Sequence, residues 1–135
     1  MNSVTQLDPL GCGAACISFI TGRNYAEVVT LLGQSQAKHK GFYCSELIAV
    51  LSKLGISYTY KYLKPWLKNR IYQDEVIVFI KRSRSYPAGH YLVRYKGQWM
   101  DPWINFCENS NITQAKSGFR KRLPEVPIYA LFPLT

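Results

Sequence analysis

His90-Tyr91-Leu92-Val93-Arg94-Tyr95-Lys96-Gly97-Gln98-Trp99-Met100-Asp101 is the stretch that orders the rest of the chain. Two runs rich in aromatic and β-branched residues flank Lys96-Gly97, a pair suited to a tight turn, so the segment predicts an antiparallel hairpin. With a two-residue turn, Tyr95 faces Gln98, and counting outward sets Asp101 opposite Leu92. His90 and Leu92 point the same way along their strand. Asp101 therefore emerges on the face of His90, diagonal to it, at roughly 5 to 8 Å between β-carbons. A carboxylate so placed can orient the imidazole.

Working outward, Val76-Ile-Val-Phe-Ile80 is a continuous apolar run between charged residues, as expected of a central strand. Ile56-Ser-Tyr-Thr-Tyr-Lys-Tyr62 alternates with period two and predicts another strand, and Val126 to Phe132 a last one. Leu63 to Ile71 has room for one helical turn after Pro65. Asn105 to Arg122 is polar and reads as loop with one helical turn near Thr113 to Lys116. Upstream the period is helical. One helix runs from about Cys12 to just before Gly22, with Ala15, Ile17, Phe19 and Ile20 apolar all round it, as in a buried helix. A second spans Tyr25 to Leu32 and stops at Gly33, and the polar run Gln34 to Gly41 reads as a loop. A third starts near Tyr43 or Ser45, repeats Leu47, Ile48, Val50, Leu51 and Leu54 at helical spacing, and ends at Gly55. Helices followed by strands give an α+β class: N-terminal helices packed on a C-terminal, mainly antiparallel sheet.

The length of 135 residues suits one domain, 1–135, with its own core. No apolar run approaches the roughly 20 residues of a membrane span. The N-terminus, Met-Asn-Ser-Val-Thr-Gln, lacks a charged n-region and an apolar core, so the expectation is synthesis without a cleaved signal and a cytoplasmic location, with signal-independent secretion still open. Four cysteines, at 12, 16, 44 and 107, then read as free thiols. Their spacing lacks the paired short knuckles of structural zinc, so neither metal nor cofactor is expected. A net charge of +9 attracts acidic partners. The basic residues are spread from Lys38 to Arg122 without a nucleic-acid motif, however, and read as a solvated surface.

Cys12 sits where a turn-rich lead-in, Gln6-Leu-Asp-Pro-Leu-Gly11, runs into the first helix. A thiol at a helix start meets the positive end of the dipole and unpaired N–H groups, which favour its thiolate. A cysteine nucleophile also needs a base, and the base a group that fixes its tautomer. Cys12, His90 and Asp101 fill those three roles. The N–H of Cys12, with the Gln6 side-chain amide upstream, supplies donors for an oxyanion.

Gln6-x5-Cys12-Gly-Ala-Ala-Cys16, Gly22-Arg23, the Cys44 to Gly55 helix, Gly89-His90-Tyr91-Leu92-Val93 and Met100-Asp101-Pro102 together resemble the bacteriocin-processing peptidases. These are papain-like cysteine peptidase domains found at the N-terminus of double-glycine-cleaving ABC transporters and as stand-alone relatives. The likeness covers about residues 1 to 105. It implies a papain-like fold with Cys12 as nucleophile, His90 as general base and acid, Asp101 as orienting residue and Gln6 in the oxyanion hole. Two departures stand out. Gly11 occupies a position that is often acidic in the family, and Trp103-Ile-Asn-Phe106 follows Asp-Pro where the family has a nearby glycine. The transporter's other domains are absent from this sequence. Peptide or amide hydrolysis therefore carries over, whereas cleavage after a double glycine does not follow.

Rival readings attach to the same residues. Cys16 lies one turn beyond Cys12 on the same helix face but inside the helix, where the unpaired N–H groups are gone. His39, in a lysine-flanked segment, competes with His90 as base but has no carboxylate fixed nearby. Cys44 and Cys107 read as structural, and Tyr91, Trp99 and Trp103 as core or cleft wall. Three classes of function are carried forward: a thiol peptidase acting on a peptide or protein as a processing enzyme, effector or toxin; a catalytically silent peptide-binding module on the same fold; and a basic nucleic-acid-binding domain. Specificity is expected in the loops Gln34 to Phe42 and Ser83 to Ala88. Nothing in the sequence defines an oligomeric state.

Overall fold

A computed structural model describes residues 2–107 and 109–134. Among the described residues four α-helices come first: α1 (Cys12–Thr21), α2 (Tyr25–Leu32), α3 (Gln34–His39) and α4 (Cys44–Lys53). Six strands follow: β1 (Tyr58–Tyr62), β2 (Ile77–Ile80), β3 (His90–Tyr95), β4 (Gln98–Asp101), β5 (Gly118–Arg120) and β6 (Pro127–Pro133). They form one antiparallel sheet in the order β1-β6-β2-β3-β4-β5. The predicted α+β arrangement is the observed one.

The helix boundaries follow from their end residues. α1 stops at Gly22, whose φ of 75° is left-handed and whose N–H donates to the Ser18 carbonyl at 2.9 Å. The Asn24 side chain accepts the Glu27 N–H at 2.8 Å and starts α2. Glu46 accepts the Tyr43 N–H at 2.8 Å at the start of α4, and the chain leaves that helix through Gly55, φ 85°. Every residue from Cys12 to Phe19 is buried, so α1 is the central helix and a rigid mount for its first residue.

The sheet separates two apolar layers. On one face α1, α2 and α4 cover Tyr58, Ile77, Tyr91, Val93, Met100 and Leu131. The other face gathers Leu63, Ile71, Val76, Val78, Ile80, Leu92 and Trp99 beneath a 3-10 helix, Pro65–Tyr72. The hairpin is as expected: Tyr95 pairs with Gln98, and Lys96 and Gly97 take φ of 47° and 78°.

Three expectations need correction. The run Gln34 to Gly41, read as loop, contains α3. Its polarity hid a helix with a single buried anchor, Ala37, whose carbonyl accepts the Leu10 N–H at 2.8 Å; Gln36 ties it to Glu46 at 2.8 Å. Ala, Gln and Lys are also good helix formers. The segment Asn105 to Arg122, read as loop with one turn, contains the edge strand β5 as well as a short 3-10 turn at Ile112–Gln114. β5 has three residues, too few for a period to show, and pairing with β4 rather than its own pattern forms it. The single turn expected after Pro65 extends to the eight-residue 3-10 helix.

Candidate active site

Three parts of the fold converge at one end of the sheet. The lead-in is tied beside the end of β4 by the Gln6 N–H, which donates to the Pro102 carbonyl at 3.2 Å. α1 then presents Cys12 at its first position, where the amide has no partner within the helix. The Tyr91 N–H of β3 donates to Cys12 Sγ at 3.4 Å, which locks the thiol against the strand that carries His90. Cys12 is 9% exposed at the edge of a cleft of about 970 Å³.

His90 and Asp101 meet across the hairpin, with Nε2 to Oδ1 at 2.6 Å. Because Nε2 is used by the carboxylate, the Nδ1 edge of the ring is left for Cys12. Asp101 is wholly buried, and both of its oxygens are hydrogen-bonded. Its Oδ1 also accepts the Trp103 N–H at 3.0 Å, and its Oδ2 accepts from Arg120 Nη1 at 3.1 Å. Burial opposes charge on His90, but hydrogen bonding to Asp101 and to Cys12 outweighs it and holds the imidazolium pKa up to about 10. Burial likewise works against the Asp101 carboxylate, yet His90, the Trp103 amide and Arg120 together hold its pKa below the ordinary value. Each partner thus favours the charged form of the other.

A stack of rings shields this pair. Tyr86 lies over the His90 ring at 5.3 Å and 25°, Phe106 stacks on Tyr86 at 5.2 Å, and Trp103 meets Phe106 edge-on at 4.8 Å. Trp103 and Phe106 belong to the stretch that departed from the resemblance, and here they build the shield.

Gln6 lines the cleft with Cys12, but its amide is engaged. Nε2 donates to the Asp8 carbonyl at 3.0 Å and to the Pro9 carbonyl at 3.2 Å, while the buried Oε1 has no partner among the described residues. The absence of a side chain at Gly11 has a steric cause. A Cβ there would lie 2.0 Å from the Tyr25 hydroxyl, which donates to Asp8 Oδ2 at 2.7 Å. Tyr25 fills the space that an acidic side chain at position 11 would need.

The rival residues fall elsewhere. Cys16 is fully buried, and burial, then Cys12 and Asp101, push its thiol well above the ordinary value. Such a thiol is inert. His39 is exposed at the end of α3 and does not line the cleft. Cys44 does line it, with its sulfur 3.6 Å from the Tyr91 hydroxyl, and burial raises its pKa. Cys107 is exposed and accepts a bond from Ser110 Oγ at 3.1 Å. The sequence reading missed Arg120, Tyr86 and Phe106. The only signal for Arg120 was its place two residues after a glycine in a polar run, which is no signal until β5 is known to pair with β4.

Away from Cys12 the cleft floor is aromatic. Tyr91, Phe79 and Tyr129 line it as register partners across β3, β2 and β6, joined by Tyr60 of β1. Phe79 meets Tyr91 at 4.8 Å between centroids. Lys40, Lys81 and Arg82 line the same cleft, and no carboxylate does among the described residues.

No protein-family model and no curated protein matches the chain. Solved structures do share its fold. A double glycine motif protease from an AMS/PCAT transporter, in complex with the leader peptide, aligns with a TM-score of 0.62 at 13% identity, covering 99% of this chain and 91% of that one. The peptidase domain of Streptococcus ComA, a bi-functional ABC transporter involved in a quorum sensing pathway, aligns at 0.60 and 16% identity, over 97% of this chain and 96% of that one. The peptidase domain of Streptococcus mutans ComA aligns at 0.53 and 17% identity over the whole of both chains. The chain therefore has the α+β papain-like fold of these peptidase domains. Among the described residues, no helix is long and apolar enough to cross a membrane.

Proposed function

We propose that this chain is a cysteine peptidase that cleaves a peptide or protein through an acyl-enzyme. The observation that carries the reading is the hydrogen bond of His90 to Asp101 at 2.6 Å, on an imidazole whose other edge is turned to the Cys12 thiol at the start of α1. On this reading residues 1–135 form one peptidase domain. Its thiol chemistry suits a reducing, cytoplasmic setting, where Cys12 stays reduced.

The reaction follows from the positions. Cys12 Sγ adds to the scissile carbonyl, and the oxyanion is met by the Cys12 N–H, with the positive end of α1 behind it. Gln6 joins as second donor by giving up its longer bond, the one to Pro9. His90 passes a proton to the leaving amine as the C–N bond breaks, which leaves a thioester on Cys12. It then takes a proton from water, which attacks the thioester and releases the acid and the thiol. Asp101 keeps the ring in plane throughout. The aromatic floor offers apolar side chains of the peptide a surface, and Lys40, Lys81 and Arg82 favour acidic ones. The PCAT-type protease that shares the fold was solved with a leader peptide, which supports a peptide as substrate.

One observation favours the second reading, a silent peptide-binding module: both Gln6 amide hydrogens already serve the Asp8 and Pro9 carbonyls. Mass spectrometry of a proteome-derived peptide library, incubated with wild type and with Cys12→Ala, separates the two. The peptidase reading expects new termini that the variant does not produce. Peptides retained by both proteins but cut by neither would establish the binding module.

A further inference from the structure

His90, Asp101 and Arg120 step across three neighbouring strands, β3, β4 and β5, on one face of the sheet. Arg120 stands opposite Trp99 and so lies diagonal to Asp101, as Asp101 lies diagonal to His90. Its Nη1 donates to Asp101 Oδ2 at 3.1 Å while His90 holds Oδ1 at 2.6 Å. The guanidinium is itself anchored, since Nε donates to the Arg122 carbonyl at 2.9 Å. With Cys12 ionised, the four groups form an alternating row: thiolate, imidazolium, carboxylate, guanidinium. Without the last, a wholly buried carboxylate would keep one oxygen unpaired and the row would carry a net negative charge.

We propose that Arg120 is a positioning residue of the active centre: by clamping Asp101 Oδ2 it turns Oδ1 alone to His90 and offsets part of the carboxylate's pull on the imidazolium. The inference rests on the peptidase reading of Cys12 and His90. An uncompensated Asp101 would bind the imidazolium more tightly and make it a poorer acid toward a leaving amine. The clamp thus works in two ways, on the plane of the ring and on its proton.

Other charged and titratable groups around the row are few. Cys12 of α1 and Asp101 act on His90 directly, and Tyr86 of the 83–89 loop stacks on its ring. Asp101 is flanked by Arg120 and by the buried, neutral Cys16. Tyr86 is in turn acted on by Asp101 and Arg120, and last by Glu125. Among the described residues, Arg120 is the one cation besides His90 that pairs with Asp101. Its loss has no ready substitute.

The test uses the whole chain and needs no substrate. His90 is titrated by ring NMR in wild type, Arg120→Met, Arg120→Gln and Arg120→Lys, and Cys12 is alkylated with iodoacetamide across the same pH range. The expected result is a His90 midpoint raised by on the order of one pH unit in Arg120→Met and Arg120→Gln, as for loss of a nearby unit charge. In Arg120→Lys it should stay near the wild-type value, and the upper inflection of the Cys12 alkylation profile should move with it. A midpoint that is unchanged or lowered in the two neutral variants, with only a fall in melting temperature, would overturn the proposal and leave Arg120 a structural residue. If neither neutral variant folds, a His90 midpoint shifted in Arg120→Lys as far as one unit would overturn it too. Failure of the underlying reading looks different: wild-type Cys12 would then alkylate no faster than Cys107.

Discussion

Asp101 reaches His90 because a two-residue turn at Lys96-Gly97 puts them diagonally across a hairpin, and their side chains close to 2.6 Å. Replacing Asp101 by Asn keeps the shape and removes the charge. It should lower kcat by about 10²- to 10⁴-fold with little change in KM, as in comparable triads. Asp101→Ala also leaves buried His90 without its partner, so it should in addition cost about 3 kcal/mol of stability. Steady-state kinetics and urea melts of the two variants separate the effects.

The raised His90 pKa has a consequence for stability. In the unfolded chain the imidazole titrates at about 6.5. Its folded-state gain is therefore fully present below that pH and is lost as pH rises through about 10. Asp101 behaves oppositely, its contribution being present above about 4 and lost as pH falls through its lowered pKa. Melting temperature should decline from about pH 6.5 to 9.5 in wild type. In His90→Gln the decline should be flatter, as calorimetry at stepped pH would show.

Tyr25 and Gly11 compete for one space. With a Cβ at position 11 only 2.0 Å from the Tyr25 hydroxyl, Gly11→Glu should destabilise the chain by about 2 kcal/mol or more, an overpacking cost. Gly11→Glu with Tyr25→Ala should recover part of that loss, because the obstacle is a removable side chain and not strained backbone: Gly11 has φ −92°. A double-mutant cycle by chemical denaturation measures the coupling. Additive losses would contradict the steric account.

Gly89 precedes His90 in a left-handed conformation, φ 73°, and a Cβ there would meet the Phe79 ring at 2.2 Å. Gly89→Ala should therefore shift the start of β3, destabilise by about 2 kcal/mol and slow Cys12 alkylation, through strain and clash together. Alkylation rates and thermal melts report both.

The parts of this site written in local pattern were readable from residues alone. Lys96-Gly97 fixes a turn type, and alternation fixes which side chains share a face, so the His90 to Asp101 contact follows from counting. The junction at Gly11-Cys12 is likewise local, a breaker followed by helical spacing. What escaped depends on neighbours distant in sequence. α3 rests on one buried alanine and three tertiary hydrogen bonds, and β5 on pairing with β4, so neither leaves a periodic trace. Arg120 could be assigned to Asp101 only once that pairing was known. Gln6 shows a third limit, since its position beside Cys12 was foreseeable but the carbonyls that occupy its amide were not.

Site-resolved alkylation with iodoacetamide at pH 6 tests the central claim most directly, because it asks whether His90 makes Cys12 a thiolate. Cys12 is nearly buried and Cys107 exposed, so accessibility alone would favour Cys107. The account predicts that Cys12 is labelled at least about tenfold faster than Cys107, and that His90→Gln removes the advantage. Labelling of Cys12 at or below the rate of Cys107 in the wild-type protein would contradict it.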